Sequence, residues 1–239
     1  MIPPTIYMYW HNENLPDFSV ACIRSVRRHN PKLKITILSQ KDIPLQFQNM
    51  QLTHKQEANI VRLFFVSQYG GIWLDVHCIC TSELPFNLMS SHLQVYSSFD
   101  GCIDNWAFAS PAKDEVLCAW YEEYSYALKC GLDVYCAKAC KHFKIEKELK
   151  DRLPYLACYI ASAYAQEKTN WVSKKNAHAH MEPFYYLEKR NYMRELMYGT
   201  TDAPLVKLTE PISSRVAHAL EVGKYEPNAS IPRELLSSA

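Results

Sequence analysis

The chain has 239 residues, enough to bury a sizeable core without staples. Apolar residues make up 48 %, charged residues 21 %, and the formal net charge is +1, which fits a globular protein and excludes a disordered one. The near-neutral balance lacks the clustered Lys and Arg of a nucleic-acid surface, and no run reaches the roughly eighteen apolar residues of a transmembrane segment.

The opening "MIPPTIYMYWHNENLP" has no basic region followed by a long apolar run, so no signal peptide is expected. Residues 5–10, "TIYMYW", are rich in β-formers and predict a strand. From 16 to 29, Phe18, Cys22, Ile23 and Val26 recur at helical spacing until Asn30-Pro31 stops the run. Arg24, Arg27 and Arg28 share that helix, either as a solvated face or as a phosphate contact. Residues 33–38, "LKITIL", read as a second strand, and 54–69 as a helix ending at Gly70-Gly71. "IWLDVHCIC", 72–80, is strand-like with a polar interruption. Strand and helix in alternation favour a parallel sheet covered by helices.

Two more strands are predicted at 93–98 and 105–110. Beyond Pro111 the pattern turns mainly helical: 112–129, 133–149, 154–166 and 183–198, then a strand at 204–209 and a helix at 213–222. The expected organisation is one domain over 1–225 with a helical second half, followed by a mobile tail, 226–239, that holds Pro227 and Pro232. The nine Cys are odd in number, scattered and mostly inside apolar runs, which suits reduced thiols and a cytoplasmic location. Cys136, Cys140 and His142 are close enough to suggest zinc but lack the usual close Cys pairs. His178 and His180 in "NAHAH" alternate as exposed strand or loop residues do, and are weaker ligand candidates.

The chemistry concentrates in 59–77, "NIVRLFFVSQYGGIWLDVH". A helix presents Arg62, Gly70 and Gly71 let the chain reverse and come close to a ligand, and a buried strand ends at Asp75. The carboxyl ends of strands are where open α/β sheets bind ligands. Asp75 and His77 would point apart in extended chain, but a turn at Val76 could bring both to one divalent cation, Mn²⁺ or Mg²⁺.

These residues resemble the sugar transferases that carry a short Asp-x-Asp motif, within them the capsular-polysaccharide-synthesis group. That group has Ser-Asp-x-x-Arg on a helix, then Tyr-Gly-Gly-Ile-Tyr/Trp-Leu-Asp-x-Asp. This chain has Asn59-Ile60-Val61-Arg62 and Tyr69-Gly70-Gly71-Ile72-Trp73-Leu74-Asp75-Val76-His77, with the same interval of thirteen from Arg62 to Asp75. The opening segment, "DNWAFASPAKDEVL" (104–117) and "PLVKLT" are similar to outer strands of the group. Two departures stand out: Asn59 replaces an Asp, and His77 replaces the second Asp of the metal motif.

The resemblance implies a GT-A, Rossmann-like α/β fold with a mixed, mostly parallel sheet. It implies a UDP- or GDP-sugar donor and a glycan or other hydroxyl acceptor, with retention of configuration. Tyr9 and Trp10 would lie near the base, and Asn59, Arg62, Gly70 and Gly71 near the donor. Asp75 would contact donor and metal. Asp104 or Asn105 would touch the transferred sugar or the acceptor, making them candidate catalytic positions beside Asp75. Trp10 and Trp106 serve as either core or sugar platforms. A diphosphate leaving group needs cationic compensation, for which Lys207 and Arg215 are further candidates. The alternative is a non-catalytic nucleotide-sugar or glycan-binding module, with Asn59 and His77 as decay of the site. A nucleotidyltransferase or phosphohydrolase would more often show clustered acids or a phosphate-cradling Gly loop, and neither pattern is present.

Overall fold

The computed structural model describes residues 1–97, 102–143, 153–171 and 192–237. Five strands form the central sheet: β1 (Thr5–Tyr9), β2 (Lys34–Leu38), β3 (Gly71–Leu74), β5 (Gln94–Ser97) and β6 (Ile103–Ser110). Their order is β2-β1-β3-β6-β5. The pairs β1–β2 and β1–β3 are parallel, while β6 is antiparallel to both β3 and β5. Four strands therefore point one way and only β6 runs back. The expected mostly parallel α/β sheet is present.

Both faces are covered, so the central strands are buried throughout: every residue of β3 and of β6 is buried. On one face Tyr9, Trp73 and Phe108 pack against α2 (His54–Tyr69), α3 (Glu115–Cys130) and α5 (Leu153–Lys168). On the other, Ile6, Met8, Ile72 and Leu74 meet Ile23 and Val26 of α1 (Asp17–His29). α4 (Leu132–Phe143) lies against α5 through Cys136 and Ala139.

Local chemistry explains the element that carries Arg62. Thr53 caps α2 by accepting from the Gln56 N–H, and Gln56 returns the bond by accepting from the Thr53 N–H. The helix ends at Gly70, φ +68°, and Gly71 follows at φ +119°. A Cβ on Gly70 would lie 2.6 Å from the Ala112 nitrogen, and one on Gly71 would lie 2.7 Å from the Thr5 oxygen. Only glycine fits this corner.

The strand expected over 72–80 is two strands. Asp75 to Cys78 form a turn, closed by the Cys78 N–H donating to the Asp75 carbonyl at 3.1 Å. β4 (Cys78–Cys80) then leaves the central sheet and pairs antiparallel with β7 (Leu205–Lys207), with Cys78 opposite Lys207. Behind this two-stranded sheet lies a third apolar cluster. It is built by Ile79 and Val206 with α6 (Tyr192–Tyr198), α7 (Glu210–Glu221) and α8 (Ser230–Leu236).

α8 corrects the expectation of a mobile tail over 226–239. Its Ile231 and Leu235 are buried, and Pro232 stands in the first turn, where a missing N–H costs nothing. Glu234 accepts from Arg28 at 2.7 Å and from His29 at 2.9 Å, tying α8 to α1. Arg28 thus serves neither a solvated face nor a phosphate. Of the helix expected over 183–198, only α6 falls within the described residues, and His178 and His180 lie outside them. Among the described residues no helix is long and apolar enough to cross a membrane.

Candidate functional site

The direction of β6 makes the site possible. Because it runs against β3, its first residues share a rim with the carboxyl ends of β1 and β3. Leu74 pairs with Ala107, and the Asp75 N–H donates to the Trp106 carbonyl at 2.9 Å, so Asp104 and Asn105 stand next to Asp75 on that rim. The β3–β4 turn brings β7 alongside, and with it Lys207.

Asp75 is the hub. Its Oδ1 accepts from the Trp73 indole at 3.0 Å and from Arg62 at 3.2 Å, and its Oδ2 accepts from the Lys207 ammonium at 2.6 Å. Burial would raise its pKa, but Arg62 and Lys207 outweigh that and hold the carboxyl below its usual range. Burial likewise opposes the Lys207 charge, and Asp75 overcomes it, so the Lys207 pKa is raised. One carboxylate thus carries two cations.

The two cations are not equivalent. Arg62 is 6 % exposed in its side chain, and all three guanidinium nitrogens meet protein acceptors: Ala58 carbonyl at 3.2 Å, Asn105 carbonyl, and Asp75. Its guanidinium also lies 5.1 Å over the Trp73 ring. The expected direct contact of Arg62 with a donor gives way to a positioning role, fixing Asp75 and the start of β6. Lys207 is 16 % exposed and uses one N–H on Asp75. Among the described residues no second acceptor meets it.

The other candidates divide. Asn59 and Asn105 pair directly, Asn105 Nδ2 donating to Asn59 Oδ1 at 3.2 Å, with Asn59 Nδ2 donating to the Tyr124 hydroxyl at 3.4 Å. Asp104 is buried, and its charge contributes, after burial, to raising the Tyr159 phenol's pKa. Tyr9 faces α2 rather than an open rim. Its hydroxyl donates to Glu57 at 2.8 Å, and burial followed by Glu57 pushes the phenol up. Trp10 is half-buried, its ring 5.8 Å from that of His77. Trp106 is 4 % exposed and stacks on Tyr96 at 5.3 Å, which is the core reading rather than a sugar platform. Arg215 stands on the exposed side of α7. Gly70 and Gly71 lie at the far end of β3, roughly 13 Å of strand from Asp75. Their expected closeness to a donor gives way to the helix–strand corner described above.

Sequence reading missed the partners of His77. Ser19 of α1 and Ser213 of α7 lie 3.0 Å from Nε2 and Nδ1 respectively. Ser213 also lies 3.0 Å from the Thr209 carbonyl, and with its hydroxyl hydrogen directed there it accepts from Nδ1–H. In the neutral ring Ser19 then donates to Nε2. Trp10 and Phe18 flank the ring. Residues nearly sixty and over a hundred positions away from His77 leave no local signal; only the hydroxyl type hints at them.

The expected metal site can be tested against this donor set. A divalent ion on Asp75 and His77 needs free oxygen and nitrogen lone pairs. Both Asp75 oxygens face cationic or indole donors, and both His77 nitrogens face serine hydroxyls. An ammonium already stands where a cation would be. The arrangement does not fit Mn²⁺ or Mg²⁺. Among the described residues no group of three His, Cys, Asp or Glu side chains could hold a metal. That includes Cys136, which donates to the Leu153 carbonyl, and His142, which meets Glu167 at 2.8 Å.

Comparison with known proteins bears on the same residues. Among solved structures, the PaToxG Glycosyltransferase is similar at 14 % identity, covering 74 % of this chain and 78 % of that chain, with a TM-score of 0.44. That likeness is too distant to carry residue roles across. No curated protein matches. The family model described as Capsular polysaccharide synthesis protein matches residues 2–128, which include Arg62, Asp75 and Asn105 but not Lys207. Since that match spans more than half of the sequence, the chain belongs to the capsular polysaccharide synthesis protein family.

Proposed function

We propose that the chain is a GT-A-type glycosyltransferase moving a sugar from a UDP- or GDP-sugar to a hydroxyl of a glycan or other acceptor, with retention, in the cytoplasm. The observation that carries this reading is the Arg62–Asp75–Lys207 cluster at the carboxyl rim of the sheet. One carboxylate between two cations leaves positive charge where a diphosphate would depart. In the reaction the bond from the sugar's anomeric carbon to phosphate oxygen breaks, and the diphosphate keeps the electron pair. The acceptor oxygen bonds to that carbon from the same face, and its proton passes to the leaving phosphate. Asp104 and Asn105 border the sugar and acceptor side. The resemblance also brings in Mn²⁺ or Mg²⁺. Asp75 and His77 could hold such an ion only once Lys207 and Ser19 let go.

The test is release of UDP or GDP from a panel of nucleotide sugars, followed by mass spectrometry with glycan acceptors. Turnover of one donor is the expected result. Tight donor binding with no turnover across the panel would instead favour the non-catalytic binding module.

A further inference from the structure

Three features make Lys207 more than an ion-pair partner. It is the more exposed of the two cations, at 16 % against 6 % for Arg62. An ammonium has three N–H donors, and only the one on Asp75 meets an acceptor among the described residues. Its position is fixed from two sides: β7 pairs with β4, placing Lys207 opposite Cys78, and the Leu208 N–H donates to the His77 carbonyl at 2.9 Å. The strand that carries it is thus registered on the turn that carries Asp75.

We propose that the Lys207 ammonium, anchored on Asp75, is the cation that receives the donor's diphosphate, so that nucleoside diphosphate binding needs no divalent metal. This rests on the nucleotide-sugar reading above. Arg62 stays buried and holds Asp75 in place, and Asp75 aims Lys207. The two remaining N–H donors of Lys207 meet phosphate oxygens. Lysine serves phosphate as a compact point charge, which suits a site where the guanidinium fork is already engaged. The cluster takes over the compensating charge that the Asp-x-Asp pattern would assign to a metal. It also gives His77 a different task from ligation: with Ser19 and Ser213 it pins the turn between α1 and α7.

The experiment is calorimetric titration of UDP, GDP, UMP and GMP into wild-type protein, in EDTA and again with Mn²⁺. A parallel Mn²⁺ titration without nucleotide is read by the free-ion paramagnetic resonance signal. The expected result is diphosphate binding in EDTA within twofold of that in Mn²⁺, with no loss of free Mn²⁺ signal to the protein alone. Lys207→Met should lower diphosphate affinity about tenfold or more and monophosphate affinity much less, since charged hydrogen bonds are lost at the second phosphate. Lys207→Arg keeps a cation there and should retain most of the binding. Diphosphate binding that appears only with Mn²⁺ would overturn the inference and leave the glycosyltransferase reading standing. No binding of either diphosphate under either condition would overturn both. If Lys207→Met does not fold, the wild-type titrations in EDTA and Mn²⁺ still decide.

Discussion

The two ends of β3 are held by different physics, although only three residues separate Gly71 from Asp75. At the amino end the constraint is space. A backbone turn with positive φ passes so close to Thr5 and Ala112 that no side chain fits. At the carboxyl end the constraint is charge: a carboxylate, a guanidinium, an ammonium and an indole share one set of hydrogen bonds. The first kind of constraint tolerates nothing but glycine and does no chemistry. The second leaves one ammonium with donors to offer. Within a single motif, then, the family resemblance joins residues that build the sheet to residues that can meet a ligand, and the pattern alone does not separate them.

The largest effect should come from breaking the amino end. Gly71→Val puts a β-branched side chain at φ +119° and within overlap of the Thr5 carbonyl and the Tyr7 ring. Backbone strain and overpacking together should cost about 3–5 kcal/mol. A urea melt should show the midpoint collapse. A loss under about 1 kcal/mol would mean that the corner relaxes and the packing argument is wrong.

A smaller loss is expected at the carboxyl end. Asp75→Asn removes the charge that two buried or half-buried cations share, at a cost of about 2–4 kcal/mol, below the full buried-pair range because Asp75 is 22 % exposed. The pH dependence separates this from a packing defect. Burial raises the Asp75 pKa, Arg62 and Lys207 together lower it by more, and the net direction is down. Its stabilisation is therefore fully present above the unfolded value, about 3.9, and lost as pH falls through the lower folded value. The gap in unfolding free energy between wild type and Asp75→Asn should stay constant from about pH 7 to pH 5 and narrow below pH 4. A gap that stays constant down to pH 2 would show that charge is not what Asp75 contributes. Gly71→Val should show no such narrowing.

Much of this contrast was legible in the sequence. The first three central strands and α1 and α2 follow from apolar spacing and from stop signals at Asn30-Pro31 and Gly70-Gly71. The interval from Arg62 to Asp75 correctly joined a helix residue to a strand end. What stayed hidden depends on partners distant in sequence. The run 72–80 looks continuous because local alternation does not say that Cys78 will pair with Lys207, more than a hundred residues on. The prolines at 227 and 232 read as breakers, yet one sits in the first turn of a helix whose stability comes from Ile231 and Leu235 in the apolar cluster it shares with α1 and α6. The resemblance implies that Arg62 faces a donor; three protein acceptors turn it inward.

The smallest effect concerns His77, and it tests whether the carboxyl end belongs to charge alone. The ring is gripped by neutral groups, Ser19 on Nε2 and Ser213 on Nδ1, with aromatic rings on its flanks. With the Ser213 hydrogen directed to the Thr209 carbonyl, the neutral ring carries its own on Nδ1. Long-range proton–nitrogen correlation spectra of imidazole-labelled protein should show that tautomer for His77 in wild type. Ser213→Ala removes the acceptor, so the proton should move to Nε2, where Ser19 can accept it. The exchange should cost only about 0.5–1 kcal/mol, because one hydrogen bond is lost and the half-exposed ring can still reach water. Ser19→Ala should leave the Nδ1–H form in place, since its acceptor remains. An Nε2–H ring in the wild type would mean that Ser213 is not accepting. It would then leave an Nδ1 lone pair for another partner, and the assignment of His77 to holding the turn would fail with it.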